Sequence, residues 1–392
     1  MQTVNVQSRM ARVQAPIIPV IGQMIRETPG TISLGQGVVH YGPPREAIDA
    51  ASDALGDMVT HEYGDGAGSP ALIELVERKL RAENGIDVSR GSRVMITAGA
   101  NMAFMHVVFA ITEPGDEVIL PVPFYFNHDM AIEMAGCNTV RVATDARYQL
   151  DLDALRRAIT PRTRAIVTVT PNNPSGAVFS EASLRAVNAL CADHGIFHLA
   201  DEVYEYFTYD GVRHFSPASL PGAEAHTISM YSLSKAYGFA GWRIGYVVYP
   251  TALASAMAKI QDTVIVCPTM ISQVAAIAAM TVGRQYSSPH VAELAEIRHI
   301  VRSQLSALAP LASVPAADGA FYVLLKVETR RSPLAIAERL IREHRVAVTP
   351  GPAFGMDEGC SFRVAYGALQ KATVAEGIGR LVSGLRAILD RP

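Results

Sequence analysis

Short β-branched runs alternate with longer amphipathic stretches from about residue 70 to 285, and this rhythm constrains the fold more than any other feature. The expected strands cover 93–97, 118–120, 165–170, 196–200, 227–231 and 245–248. The expected helices cover 69–82, 101–111, 126–135 and 181–194. Strands alternating with helices predict an α/β class, a mostly parallel sheet in a large domain with helices on both faces. In such sheets ligands bind beyond the carboxyl ends of the strands. After residue 285 the pattern changes: helix at 291–308, strand at 319–325, helix at 332–344, strand at 361–364, helix at 372–389. That mixture predicts a smaller α+β domain. A chain of 392 residues is long for one core, so the expected division is 45–285 for the large domain. Residues 1–44 and 286–392 then form the small one, with an N-terminal arm.

Composition removes several classes of function. Apolar residues make up 49% and charged residues 18%, as in ordinary globular enzymes. A net charge of −3 gives no electrostatic reason to expect nucleic acid or an anionic membrane surface. Cys137, Cys191, Cys267 and Cys360 are far apart with no CxxC, which argues against a zinc site of that type or a disulfide framework. The first residues have no apolar core of signal-peptide type, and no window is long and apolar enough to span a membrane. The expected location is the cytoplasm.

The chemistry-bearing residues fall just after expected strands. In YSLSKAYGFAGWRIGY an apolar run ends in Ser232 and Ser234 around Lys235, and Arg243 follows eight residues later. A lysine among apolar neighbours titrates low and becomes a usable nucleophile, whereas a solvated loop lysine does not. Asn173, in PNNPSG, is either a turn former or an amide presented to a ligand. Asp201 ends an apolar strand and leads into Tyr204. It reads either as a helix cap or as the partner of a buried cation. Gly99, Ala100 and Asn101 open a helix after a strand, where free N–H groups suit a phosphate. Tyr125 sits in an aromatic cluster that is core or ligand stack. Arg363, in an apolar strand, calls for a carboxylate from the protein or from a substrate.

In this order and spacing, these motifs resemble the class I/II aminotransferases, pyridoxal-phosphate enzymes of fold type I, of the aspartate, aromatic and alanine group. The likeness runs from about residue 33 to 363 and includes Tyr63 in EYGDGAGSPAL. It implies that pyridoxal 5′-phosphate is held by Lys235 as a Schiff base and that the freed amine then shuttles a proton. Asp201 would pair the pyridine nitrogen, Asn173 and Tyr204 would bond the ring's 3-oxygen, and Tyr125 would stack on the ring. Gly99, Ala100, Asn101, Ser232, Ser234 and Arg243 would hold the phosphate. Tyr63 would reach it from a neighbouring subunit, making a homodimer with shared active sites. Arg363 would clamp the substrate α-carboxylate, with the Gly37 region and Asn173 on the substrate side.

The implied reaction moves an amino group from an L-amino acid to a 2-oxo acid such as 2-oxoglutarate in ping-pong half-reactions. Aspartate, alanine and aromatic donors are all open. Asn101 stands where some bacterial aspartate enzymes carry a lysine, and 251–283 contains no arginine. In GVVHYGPP, His40 and Tyr41 are either substrate contacts or packing residues. A carbon–sulfur β-lyase or an amino-acid oxidase on the same cofactor is the second reading. A regulator-like, non-catalytic use of the fold is the third, disfavoured by the full set of cofactor residues.

Overall fold

The computed structural model describes residues 8–390. Its strands in chain order are β1 (Ile32–Ser33), β2 (Ser92–Thr97), β3 (Glu117–Val122), β4 (Asn138–Ala143), β5 (Thr163–Val169), β6 (Phe197–Asp201), β7 (Thr227–Ser232), β8 (Gly245–Pro250), β9 (Ala312–Ser313), β10 (Tyr322–Val327), β11 (Val346–Ala347), β12 (Thr349–Pro350) and β13 (Cys360–Ala365). Seven of them form one sheet in the order β2-β8-β7-β6-β5-β3-β4. The pairings β4–β3–β5–β6–β7 are parallel, while β8 runs antiparallel to both β7 and β2. The expected α/β class and mostly parallel sheet are therefore present.

Alternation along each strand separates the two faces of the sheet. Ala165 and Val167 pack with Phe104, Val107 and Val108 of the helix Ala100–Ile111. Ile166 and Ile119 face the other way, onto Leu184 and Val187 of the helix Glu181–His194. That helix starts at Ser180, whose hydroxyl accepts from the Ser183 N–H at 3.1 Å, and stops at Gly195 in a left-handed conformation.

The edge strand β4 was absent from the expected strands. Its sequence, NTVRVA, buries only Val142, so it lacks the apolar run that marks an interior strand. The expected helix over 69–82 ends sooner, as an α-helix at Lys79 followed by a π-turn through Asn84.

A second sheet, β12-β13-β10-β9, is antiparallel. The N-terminal arm joins this C-terminal part: β1 pairs in parallel with β11, and the helix Ile17–Arg26 packs on the helix Pro333–His344. Among the described residues no helix is long and apolar enough to cross a membrane.

Candidate active site

Strands β2, β3, β5, β6 and β7 end at one edge of the large sheet, and the segments that follow them surround a cavity of about 520 Å³. β7 runs into the short helix Leu233–Ala236, which carries Lys235. The loop after β5 supplies Asn173, β6 ends at Asp201, and the segment after β3 supplies Tyr125. β13 brings Arg363 and β10 brings Tyr322 from the second sheet.

One end of the cavity is built for an anion. The helix Ala100–Ile111 has no side-chain cap and no acidic residue in its first turn, so its leading N–H groups and positive dipole end stay available. Gly99 precedes it at φ +80°, and a Cβ there would sit 2.3 Å from Arg243 Nη2. Glycine thus admits the guanidinium beside the helix start. Arg243 adopts φ +56° and is held by the carbonyls of Ala240 (3.0 Å) and Ala98 (3.1 Å). Ser232 and Ser234 complete this end, with their hydroxyls 2.8 Å apart.

In the middle lies Asp201, 4% exposed. Its Oδ2 is 3.1 Å from His128 Nε2, and its Oδ1 accepts from the Val203 N–H at 3.3 Å. His128 stacks on Phe104 at 4.0 Å and meets the Tyr125 ring edge-on. Opposite, Lys235 Nζ donates to the Gly37 carbonyl at 2.5 Å. Burial, with Arg363 and Arg243 nearby, pushes the Lys235 amine down to about 8, against the pull of Asp201. Tyr204 Oη receives a weak 3.4 Å contact from Asn173 Nδ2 and lies 2.8 Å from Tyr322 Oη. Burial first, then Tyr322, raises the Tyr204 phenol far above its ordinary value.

Arg363 closes the far end, 2% exposed. It donates to Asn173 Oδ1 (3.0 Å) and the Gly35 carbonyl (2.6 Å), and its guanidinium lies over the Tyr322 and Phe354 rings. Its Nε is buried without a partner, and among the described residues no carboxylate pairs with it. A buried cation without a protein anion is costly unless a ligand supplies one. Of the two sources the sequence left open for a carboxylate, the protein itself supplies none among the described residues.

Most sequence-expected residues meet at this cavity, including Gly37, whose Cβ position is already filled by Tyr322 Oη. Tyr63 does not. It is 83% exposed, in a separate surface recess with Cys267 and Met270. His40 and Tyr41 also lie outside the cavity wall, so of the two readings left open for them the packing one fits the structure. The Tyr41 hydroxyl instead donates to the Lys235 backbone carbonyl at 2.9 Å, behind the cavity. Sequence reasoning missed His128 and Tyr322. The signal for His128 was the buried Asp201 in need of a donor. Nothing local distinguished Tyr322 from a core aromatic.

An uncapped helix start with an arginine, a buried carboxylate and a lowered amine together fit the phosphate, ring nitrogen and aldehyde of pyridoxal phosphate. The comparisons agree. Residues 29–381 match the family model for aminotransferase class I and II. An aromatic aminotransferase of Arabidopsis thaliana is 34% identical over 95% of this chain and 94% of its own length. An aspartate aminotransferase of Pyrococcus abyssi is 33% identical over 87% of this chain and 89% of its own. The solved aspartate aminotransferase of Rhizobium meliloti superposes with a TM-score of 0.89 at 30% identity, covering 97% of this chain and 99% of that one. The chain belongs to the class I and II aminotransferases, the pyridoxal-phosphate-dependent transaminases of fold type I.

Proposed function

We propose that this transaminase takes an aromatic or large apolar L-amino acid as donor and a 2-oxo acid as acceptor, in a cytoplasmic homodimer. The observation that carries the donor class is the wall beside Arg363. Ile18, Val38 and Phe126 line it, Phe126 packs on Phe354, and beyond Lys235, Arg243 and Arg363 no described residue of the wall is cationic. A side-chain carboxylate buried there would lack a partner, which costs several kcal/mol.

Bound pyridoxal phosphate supplies an electron sink that lets an amino acid lose its Cα proton. The chain's residues do the rest. The Gly99–Asn101 helix start, Ser232, Ser234 and Arg243 would fix the phosphate. Asp201, oriented by His128, would keep a proton on the ring nitrogen, and Asn173 and Tyr204 would hold the 3-oxygen. Tyr125 would lie against the ring face. Lys235 Nζ would anchor the cofactor, then take the Cα proton and return it, a task suited to an amine near neutrality. Arg363 would orient the donor through its α-carboxylate.

The homodimer reading rests on surface chemistry. Leu55, Met58, Val59, Tyr63, Val264 and Val266 are all exposed apolar groups, and the sequence around Tyr63 resembles the segment that reaches a neighbour's site. The division into a large domain of 45–285 and a small one of 1–44 and 286–392 is proposed on the same resemblance and on the separation of the seven-stranded sheet from the four-stranded and two-stranded ones.

A half-reaction screen of the amino acids, followed by cofactor absorbance, tests the donor class. Phenylalanine, tyrosine and leucine should exceed aspartate in kcat/KM by about 100-fold, the equivalent of ~3 kcal/mol. A preference for aspartate would refute it. Turnover should vanish in Lys235→Ala whatever the donor.

A further inference from the structure

Behind the lysine turn, His40, His290 and Glu293 present ligand atoms that all lie within 4.8 Å of one another. None of the three touches the cavity. His290 and Glu293 are three residues apart on the helix Ser287–Ser306, so they share one face. His40 comes from the arm segment that crosses this helix, and its Nε2 is 3.2 Å from Glu293 Oε2.

The two imidazoles are each held in place, His40 by a hydrogen bond and His290 by ring contacts. His40 Nδ1 lies 3.3 Å from the Gly367 carbonyl. Donation there places the proton on Nδ1 and leaves the Nε2 lone pair facing Glu293, the outer-shell arrangement that orients a ligating histidine. The His290 ring is fixed flat against Tyr41 at 3.7 Å and 9°, and edge-on to Tyr286 at 5.2 Å. Despite that fixed ring, no hydrogen bond among the described residues reaches its nitrogens.

Tetrahedral ligands at bonds of about 2.1 Å stand ~3.4 Å apart. His40 and Glu293, 3.2 Å apart, already have about that spacing, and His290, within 4.8 Å of both, needs to close by at most about 1.4 Å.

We propose that His40, His290 and Glu293 bind a zinc-class divalent cation, which clamps the arm segment 37–42 against the lysine turn. Two imidazole nitrogens, one carboxylate oxygen and an open fourth position suit that class of ion. The clamp acts on Lys235 through contacts on the page. Tyr41 bonds the Lys235 backbone carbonyl, and the Gly37 carbonyl receives Lys235 Nζ. Gly42 is so close to Gly238 that a Cβ on the latter would sit 2.4 Å from the Gly42 oxygen. Because Lys235 has to leave the Gly37 carbonyl to react, an ion that stiffens this segment slows turnover. Metal binding is independent of the donor class proposed above.

The test is equilibrium dialysis of the cofactor-loaded enzyme against zinc chloride, with bound zinc counted by elemental analysis. Wild type, His290→Gln and Glu293→Gln are compared. Neither residue lines the cavity, so basal turnover and cofactor absorbance without zinc should match wild type. Saturable binding of one ion per chain in wild type, weakened about 100-fold or more in each variant, is expected. Zinc should also lower turnover in wild type and leave both variants unaffected at the same concentration. Equal zinc binding by all three proteins overturns the site and leaves an ordinary imidazole–carboxylate contact. Zinc bound at the site with wild-type turnover unchanged overturns the clamp.

Discussion

The lowered Lys235 amine can be measured without any substrate. An ordinary lysine titrates near 10.5, and Lys235 is pushed down to about 8. At pH 7.5 about a quarter of Lys235 side chains are then neutral, against roughly one in 1,000 for an ordinary lysine, a gain of about 200-fold in free amine. The chain has only Lys79, Lys235, Lys259, Lys326 and Lys371, so trace acylation of the cofactor-free enzyme can be resolved lysine by lysine with mass spectrometry. Labelling of Lys235 should rise with pH through a midpoint near 8. Two substitutions fix the cause. Arg363→Met removes a positive neighbour and should move the midpoint up, and Asp201→Asn removes the attractive carboxylate and should move it down. The sign of the stability effect follows. Between about 8 and 10.5 the unfolded chain holds a proton that the folded chain has lost, so cofactor-free protein gains stability as pH rises through that window. The cost is fully present below 8 and amounts to at most about 3 kcal/mol. A Lys235 labelling midpoint near 10.5, unmoved by either substitution, would refute the reasoning.

Two further substitutions probe the ends of the cavity. Gly99→Ala imposes φ +80° on an L-residue, about 1–2 kcal/mol, and drives its Cβ into the Arg243 guanidinium. Cofactor dissociation, followed by dialysis and absorbance, should be at least about tenfold more extensive. Arg363→Gln removes the buried cation proposed to face the donor carboxylate, so kcat/KM for every amino acid should fall by about 30-fold to 1,000-fold, or 2–4 kcal/mol. An equal loss with amines that carry no carboxylate would show that Arg363 acts on packing instead.

The sequence made the interior of the large sheet legible because buried parallel strands read as apolar runs bounded by turn residues. β4 escaped because an edge strand buries one face at most. Most residues of the cavity wall were legible because they follow strands that end at the same edge, so order along the chain translates into position around one cavity. Tyr322 and His128 had no such marker. Tyr322 acquires its role only when β10 lays its hydroxyl against Tyr204, and His128 only when the helix Phe126–Met134 turns it toward Asp201. His40 and Tyr41 stayed open between substrate contact and packing for a related reason. The arm crosses the lysine turn, and a shift of two residues, from Val38 to His40, separates the cavity wall from the far side of that turn.

Charge in the cavity limits what the donor side chain can be. The wall holds three cations, Lys235, Arg243 and Arg363, and one anion, Asp201. Arg243 stands at the helix start, where a phosphate monoester of about −1.5 to −2 would gather it and the free N–H groups. Arg363 has its Nη groups on Asn173 and Gly35 and only Nε unpartnered, so it can accept one more anion, the carboxylate that every amino acid carries. Lys235 has to be neutral to act, which removes it as a standing counter-ion. A second carboxylate on the donor would thus face Ile18, Val38 and Phe126 with no cation to meet it. If aspartate nevertheless proves a good donor, a second copy of the chain, in the dimer proposed above, would have to supply the missing charge, and exchange of donor classes would then follow substitutions on that copy's surface around Tyr63. If it proves poor, the apolar wall alone accounts for the choice, and Val38→Lys should bring aspartate turnover up while depressing that of phenylalanine.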